Sequence, residues 1–325
     1  MQRLESLLVR FNRLARPGPF KAPWTHHHDG GKHDFHLVFG VMIHGDEFGS
    51  LPAAVALVEG LILGQINFGG RLTVFVGNPE AARKNRRFLQ ADLNRVFLDT
   101  KHDRHEDKIA KRLMPILDTA DLFVDFHQTI LPTRQPFYIC GWRQDSWRWA
   151  RVLGSASVWV TRDPSIPFSD DTRCSDEYVV ARGKPALTVE LSQQGFNEPA
   201  EEICMSTMCR AMRAADAVEG GHSLVDLAEQ AEPLTFFTGS HAERFATPDL
   251  ALTDGLVNFQ PVKEGQDLAR DDSPPLIVPH DGMLLFPKYP QRDDGLAIPP
   301  WPKEIFRVIT PLDVHPVQLW GRDST

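Results

Sequence analysis

The sequence predicts an α/β fold, a mainly parallel sheet covered by helices on both faces and followed by a smaller β-rich unit. Three observations predict it. Short apolar runs alternate with stretches of helical periodicity over roughly the first two thirds of the chain. Beyond residue 233 the helical stripes give way to short β-like runs set among dense Pro and Gly. The 325 residues, 42% of them apolar, are enough for a large core and exceed one typical domain. The expected division is an α/β domain over residues 1–230 and a β-rich domain over residues 231–325.

Each element has its own justification. Residues 1–16 place Leu4, Leu7, Leu8, Phe11 and Leu14 against Arg3, Arg10, Arg13 and Arg16, an amphipathic first helix. Glu5 inside it, with no cleavage-like segment after it, argues against a transit peptide. His26, His27, His28, His33 and His36 read as a flexible polar loop, with a secondary metal site as the alternative. Residues 36–43 (HLVFGVMI) form a buried strand that runs into His44-Gly45. Leu51, Val55, Leu57, Val58, Leu61 and Ile62 give residues 47–63 a helical stripe. Residues 71–76 (RLTVFV) are a second strand, stopped by Gly77-Asn78-Pro79. Helical spacing returns over 103–117, then strands over 121–126, 135–140 and 185–191, then a long helix over 198–218. In the last third the expected strands are 234–237, 276–278, 283–286 and 305–309. No repeat of 20–50 residues is present.

Composition excludes several classes. The net charge of −8, from 43 acidic and 35 basic residues, opposes a nucleic-acid binder. No apolar run approaches the roughly 18–20 residues of a membrane span, and the longest candidate is interrupted by Glu59. Cys140, Cys174, Cys204 and Cys209 form no CxxC pair, so neither a thiolate zinc site nor a redox motif is indicated, and a reduced, cytoplasmic compartment is the default expectation.

Four places could carry chemistry. His44 and Glu47 stand at the end of the first strand, where ligands gather in open α/β sheets. HxxE alone is a weak signal. Asp125-Phe126-His127 ends the third strand, and Asp125 is placed to support a ligating His127. Two His and one carboxylate at one sheet edge make the three-ligand set of a zinc site that leaves a position for water. Residues 78–97 (NPEAARKNRRFLQADLNRVF) hold Arg83, Lys84, Arg86, Arg87 and Arg95, read either as a solvated basic loop or as an anion pocket. Glu190 closes PALTVE, where burial would raise its pKa and suit a general base; a surface or salt-bridged carboxylate is the plainer reading.

Together HGDE, NPEAARKNRRFLQADLNRVF, DFHQT and VELSQQG resemble the succinylglutamate desuccinylase/aspartoacylase family, zinc-dependent deacylases with a carboxypeptidase-like fold. The matching motifs run from His44 to Gly195. The resemblance implies a mixed sheet flanked by helices, one zinc per chain on His44, Glu47 and His127, and Glu190 as general base and then acid. Arg87 matches the arginine that polarises the scissile carbonyl, and Asn94 and Arg95 match the pair that holds a substrate carboxylate. Arg182 and Tyr289 are the loose counterparts of a further family arginine and tyrosine. Asp46 stands where many members carry Asn, adding a negative charge beside the metal.

The expected activity is zinc-dependent hydrolysis of an N-acyl amino acid, with a small-molecule substrate as the partner, no nucleic acid or membrane, and a homo-oligomer left open. Carboxypeptidase-like cleavage of a short peptide is the nearest alternative. A non-catalytic carboxylate- or metal-binding protein on the same fold is the rival from another class, although neither Glu190 nor any ligand is missing. A nucleic-acid site on RKNRR is set aside by the net charge. Zinc, cobalt and manganese occupy similar sites, so the residues alone do not choose among them.

Overall fold

The computed structural model describes residues 1–98, 101–162, 172–247, 249–288 and 303–321. Helix α1 (Gln2–Leu14) buries Leu4, Leu8 and Phe11 and leaves its arginines in solvent, as its amphipathic pattern requires. Strands β1 (Thr25–Asp29) and β2 (His36–Val41) precede α2 (Leu51–Ile62), and β3 (Arg71–Val76) precedes the short α3 (Pro79–Arg83). Next come α4 (His105–Leu117), β4 (Leu122–Thr129), β5 (Phe137–Ile139), α5 (Gln144–Leu153), β6 (Val158–Thr161), α6 (Ser175–Val180) and β7 (Ala186–Gln193). The chain ends with α7 (Glu198–Glu219), α8 (Leu224–Gln230), β8 (Thr235–Arg244), β9 (Pro261–Val262), β10 (Gly282–Leu285), β11 (Glu304–Pro311) and α9 (Pro316–Trp320).

The strands form one mixed sheet in the order β1-β3-β2-β4-β7-β5-β6-β8-β11-β10-β9. Its centre, β3-β2-β4-β7, is parallel throughout, so the carboxyl ends of all four strands lie along one edge. Strand alternation divides the core. Leu122, Val124 and Phe126 of β4 and Leu187 and Val189 of β7 join one cluster with residues of α1, α2, α5 and α7. Phe123 and Ala186 face the other way, into a second cluster with α4 and α6. By the same alternation, Asp125 and His127 share a face with Thr188 and Glu190, and the parallel register sets His127 beside Glu190.

The last third is continuous with this sheet. Strand β8 pairs parallel with β6 and antiparallel with β11, while Leu252, Leu268, Val278, Phe306 and Val308 belong to a core cluster of their own. Two expectations change. The histidines at 26–28 form no loop and no metal site; they lie in β1, which pairs with β3. Each ring has a separate partner: His26 Nδ1 the Leu14 carbonyl at 3.0 Å, His27 Nδ1 the Thr73 hydroxyl at 2.9 Å, and His28 Nε2 the Phe68 carbonyl at 3.3 Å. Polar side chains hid an edge strand whose backbone pairing, not its apolarity, holds it. Residues 276–278 form no strand but one bridge, from Ile277 to Asp267. No helix among the described residues is long and apolar enough to cross a membrane.

Candidate functional site

Past β2, Met42 takes a φ of +56°, a conformation costly for a residue with a side chain, and the chain bends so that His44 is buried at the carboxyl edge. Gly45 follows because nothing larger fits: a Cβ there would lie 2.4 Å from the Ala82 amide nitrogen of α3. Its N–H donates to the Arg87 carbonyl at 2.9 Å, tying the HGDE turn to the arginine segment.

The Glu47 carboxylate lies between two imidazoles. His44 Nδ1 is 2.8 Å from Oε1, His127 Nδ1 is 2.8 Å from Oε2, and the two Nδ1 atoms are 3.2 Å apart. The outward Nε2 atoms meet carboxylates, Asp92 Oδ1 at 3.0 Å for His44 and Asp125 Oδ2 at 3.0 Å for His127. An Nε2–H donated outward leaves each Nδ1 lone pair facing inward, toward Glu47 and toward the other ring. Three buried acceptors crowded together are satisfied by a proton or by a cation. Among the described residues this is the one His/Cys/Asp/Glu group that could hold a metal ion, and two imidazoles with one carboxylate, each His backed by a carboxylate, fit zinc.

The same crowding sets the charges of the metal-free protein. Burial alone would lower both imidazoles, and Arg87 opposes His44 further; Glu47 with Asp92 for His44, and Asp125 with Glu47 for His127, outweigh this and raise both. Burial would raise Glu47, but the two histidines hold it well below the usual carboxylate range. Asp46 is pushed up by burial and by Glu47.

The other expected residues gather unequally. Arg87 donates to Glu47 Oε1 at 2.9 Å and to Asp92 Oδ2 at 3.3 Å and stays 30% exposed. Asn94 and Arg95 sit in a single 3-10 turn (Leu93–Arg95) opened by Asp92, whose carboxylate accepts from the Asn94 amide at 2.9 Å. Asn94 Nδ2 lies 3.5 Å from His127 Nε2, and Arg95 donates to the Asn94 carbonyl at 2.6 Å and to Cys174 Sγ at 3.3 Å. Glu190 is only 8% exposed, its buried Oε2 has no hydrogen-bond partner, and burial followed by repulsion from Glu47 pushes it up to about 7.

The structure does not bring Arg182 to this site. It precedes β7 at the amino edge of the sheet, pairs with Asp118, and stacks on the Tyr178 ring with its guanidinium carbon 3.4 Å from the centroid. Tyr289 lies outside the described residues. Sequence reasoning missed Arg173, whose backbone interlocks with the Asn94-Arg95 turn: its N–H donates to the Arg95 carbonyl at 3.2 Å, and its carbonyl accepts from Phe97 at 3.2 Å. Lys288 of the last third, which the sequence reading did not single out, donates from Nζ to the Glu304 carbonyl at 3.3 Å. Lys288 is lowered to about 8 by burial and by Arg307, Arg87 and Arg95, against the opposing pull of Glu304. Only its position one residue before Tyr289 marked it in the sequence.

Gln128, one residue after His127, joins the site's segments. Its Oε1 accepts from the Gly49 N–H at 2.7 Å, and its Nε2 donates to the Gln193 and Gly195 carbonyls at 2.7 and 2.9 Å. Its own N–H donates to Glu47 Oε2 at 3.2 Å. Gln128→Leu therefore leaves the buried Gly49 N–H without its acceptor and should lower unfolding stability by about 1–3 kcal/mol. Urea unfolding checks this, and an unchanged midpoint would remove Gln128 from the scaffold.

Residues 37–217 match the model of the succinylglutamate desuccinylase/aspartoacylase catalytic domain. The chain is 37% identical over 261 residues to the succinylglutamate desuccinylase of Erwinia tasmaniensis, covering 72% of this chain and 74% of that one. It is 24% identical over 284 residues to the enzyme of the same name from Pseudomonas syringae pv. tomato, covering 80% of each. The crystal structure of succinylglutamate desuccinylase from Vibrio cholerae superposes with a TM-score of 0.65 at 17% identity, over 89% of this chain and 84% of that one, which shows a shared fold. The chain thus belongs to the succinylglutamate desuccinylase/aspartoacylase family, whose matched relatives are named as deacylases.

Proposed function

We propose that this protein is a zinc-dependent hydrolase that cleaves the amide bond of an N-acyl amino acid. The observation that carries the reading is the convergence of His44, Glu47 and His127 beside an unpartnered, buried Glu190 at one sheet edge. Zinc held by those three side chains would polarise a water and the scissile carbonyl. Glu190 accepts the proton of the attacking water as its oxygen bonds to the acyl carbon. It returns that proton to the departing nitrogen as the C–N bond breaks, so acid and amine leave and Glu190 ends as it began. Arg87, fixed by Glu47 and Asp92, stabilises the charge that develops on the carbonyl oxygen. Asn94 and Arg95 hold the substrate carboxylate and so orient the amide. Arg173, next to them, replaces Arg182 in this reading as the arginine that precedes Glu190. Residues 1–230 would then carry the catalytic machinery, with Lys288 lent by residues 231–325.

A screen of N-acetyl-, N-succinyl- and longer N-acyl amino acids with added zinc, read as free amine, tests the proposal. Release from at least one of them supports it. Release from short peptides alone would favour a carboxypeptidase-like reaction, and release from neither would overturn it. Arg95→Ala should weaken carboxylate-bearing substrates by roughly 2–5 kcal/mol, the range for leaving a buried charge unpaired. Esterifying the substrate carboxylate should then hurt the parent protein far more than the variant, and equal sensitivity would remove Arg95 from that role.

A further inference from the structure

Asp125 is fully buried, and its two side-chain donors converge on one oxygen. Oδ2 accepts from His127 Nε2 at 3.0 Å and from the Ser175 hydroxyl at 2.5 Å, while the buried Oδ1 has no partner. Ser175, the first residue of α6, is buried as completely, and it faces a second member of the site. Its N–H donates to Asn94 Oδ1 at 2.9 Å, and its hydroxyl oxygen lies 3.2 Å from the same atom. A serine has one proton to give, and the carboxylate oxygen is the nearer and stronger acceptor. The hydroxyl therefore belongs to Asp125 and the amide to Asn94. With Oδ1 facing Ser175, the Asn94 amide can only turn its Nδ2 toward His127.

From this geometry we infer that Ser175 is a positioning residue, which fixes the imidazole of His127 through Asp125 and the carboxamide of Asn94 through its own N–H. The ligand side and the substrate side of the site are thereby set by one residue that touches neither metal nor substrate. The Asp125 carboxylate accepts from His127 along a direction set partly by Ser175, because both donors share one oxygen. Without the hydroxyl, His127 is the only side-chain donor to a buried charge, and nothing holds that charge at the angle the imidazole needs. Outer partners of metal-bound histidines are worth about 10–100-fold in metal affinity, and Ser175 stands one step beyond such a partner. The inference rests on the zinc assignment of His44, Glu47 and His127.

The test is a double-mutant cycle read as zinc affinity by chelator competition, which needs no substrate. Ser175→Ala should lose about tenfold and Asp125→Asn about 10–100-fold. The double variant should lose no more than Asp125→Asn alone, because Ser175 acts through that carboxylate. The metal-free parent should also show a hydrogen-bonded His127 Nε2–H resonance by NMR that shifts in Ser175→Ala. Affinity of Ser175→Ala within twofold of the parent, or losses that multiply in the double variant, would overturn the inference. Should Ser175→Ala not fold, Ser175→Cys keeps the size and a weaker donor; it should fall between parent and Asp125→Asn, and parent-level affinity there overturns the inference equally. A parent protein that binds no zinc overturns the proposed function as well, which separates the two failures.

Discussion

Glu190→Gln should lower turnover by at least about 10²–10⁴, the usual worth of a general acid–base group, while zinc and substrate still bind. The substitution keeps the size and removes the base. None of the expected ligands is altered, and neither Asn94 nor Arg95 is touched. The rival view, a strand-end carboxylate kept for stability, makes the opposite forecast for folding. The environment of Glu190 supports the proposed base. Glu190 has an unpartnered buried oxygen, lies near Glu47, and is pushed up to about 7 by burial and by that neighbour. A carboxyl whose folded pKa lies above its unfolded value binds its proton more tightly in the folded state. Metal-free stability should therefore fall as pH rises from about 4.5 through about 7, and above that range the ionised Glu190 opposes folding. The amide that replaces it in Glu190→Gln carries no charge, so at pH 8 the metal-free variant should melt no lower than its parent. In the loaded protein a dication on the neighbouring ligands favours the carboxylate, and the acid limb of the rate profile should lie below about 7. Turnover, zinc content and melting temperature on one preparation settle the matter, and near-normal turnover in a folded, zinc-loaded variant would rule out the role.

Glu190 also shows what a sequence can and cannot disclose. PALTVE marks it as the end of a buried strand, and the structure places it in β7 beside His127. The parallel centre was legible for the same reason: β2, β3, β4 and β7 are buried on both faces and so read as continuous apolar runs. β1 was not legible, because an edge strand paired on one side tolerates Thr-His-His-His-Asp. The short α5 and α6 and strand β6 were missed because four to ten residues carry too little periodicity. At the site, HGDE, DLNR and DFHQT each pointed to residues that converge. Arg182 did not, although it is closer to Glu190 in sequence than Arg173 is. α6 and the turn after it carry Arg182 to the far end of β7, whereas Arg173 is held by backbone bonds to Arg95 and Phe97. Proximity along the chain did not bring Arg182 to the site, whereas an isolated bridge to Val96 holds the Arg173 backbone beside the Asn94-Arg95 turn.

The parent protein should bind about one zinc per chain, and His127→Ala or His44→Ala should lose most of it. Each variant removes an inward lone pair from a set of three and leaves a carboxylate, Asp125 or Asp92, without its imidazole. The loss should exceed the roughly 10–100-fold expected for an outer partner such as Asp125. Acid should act in the same direction. In the metal-free protein both imidazoles are raised above 6.5, His127 well above, by the carboxylates around them. Those protons occupy the nitrogens that zinc needs, so binding must expel them. The competition is felt already above pH 6.5 and grows as pH falls, toward about a hundredfold loss of affinity per pH unit where two protons are displaced. Removing either histidine should leave at most one proton to expel and flatten that dependence. Chelator competition at pH 8 and pH 6, with elemental analysis of the purified proteins, measures both effects. Full zinc occupancy in the two variants, or an affinity in the parent that does not change between the two pH values, would overturn the metal assignment and with it the proposed chemistry.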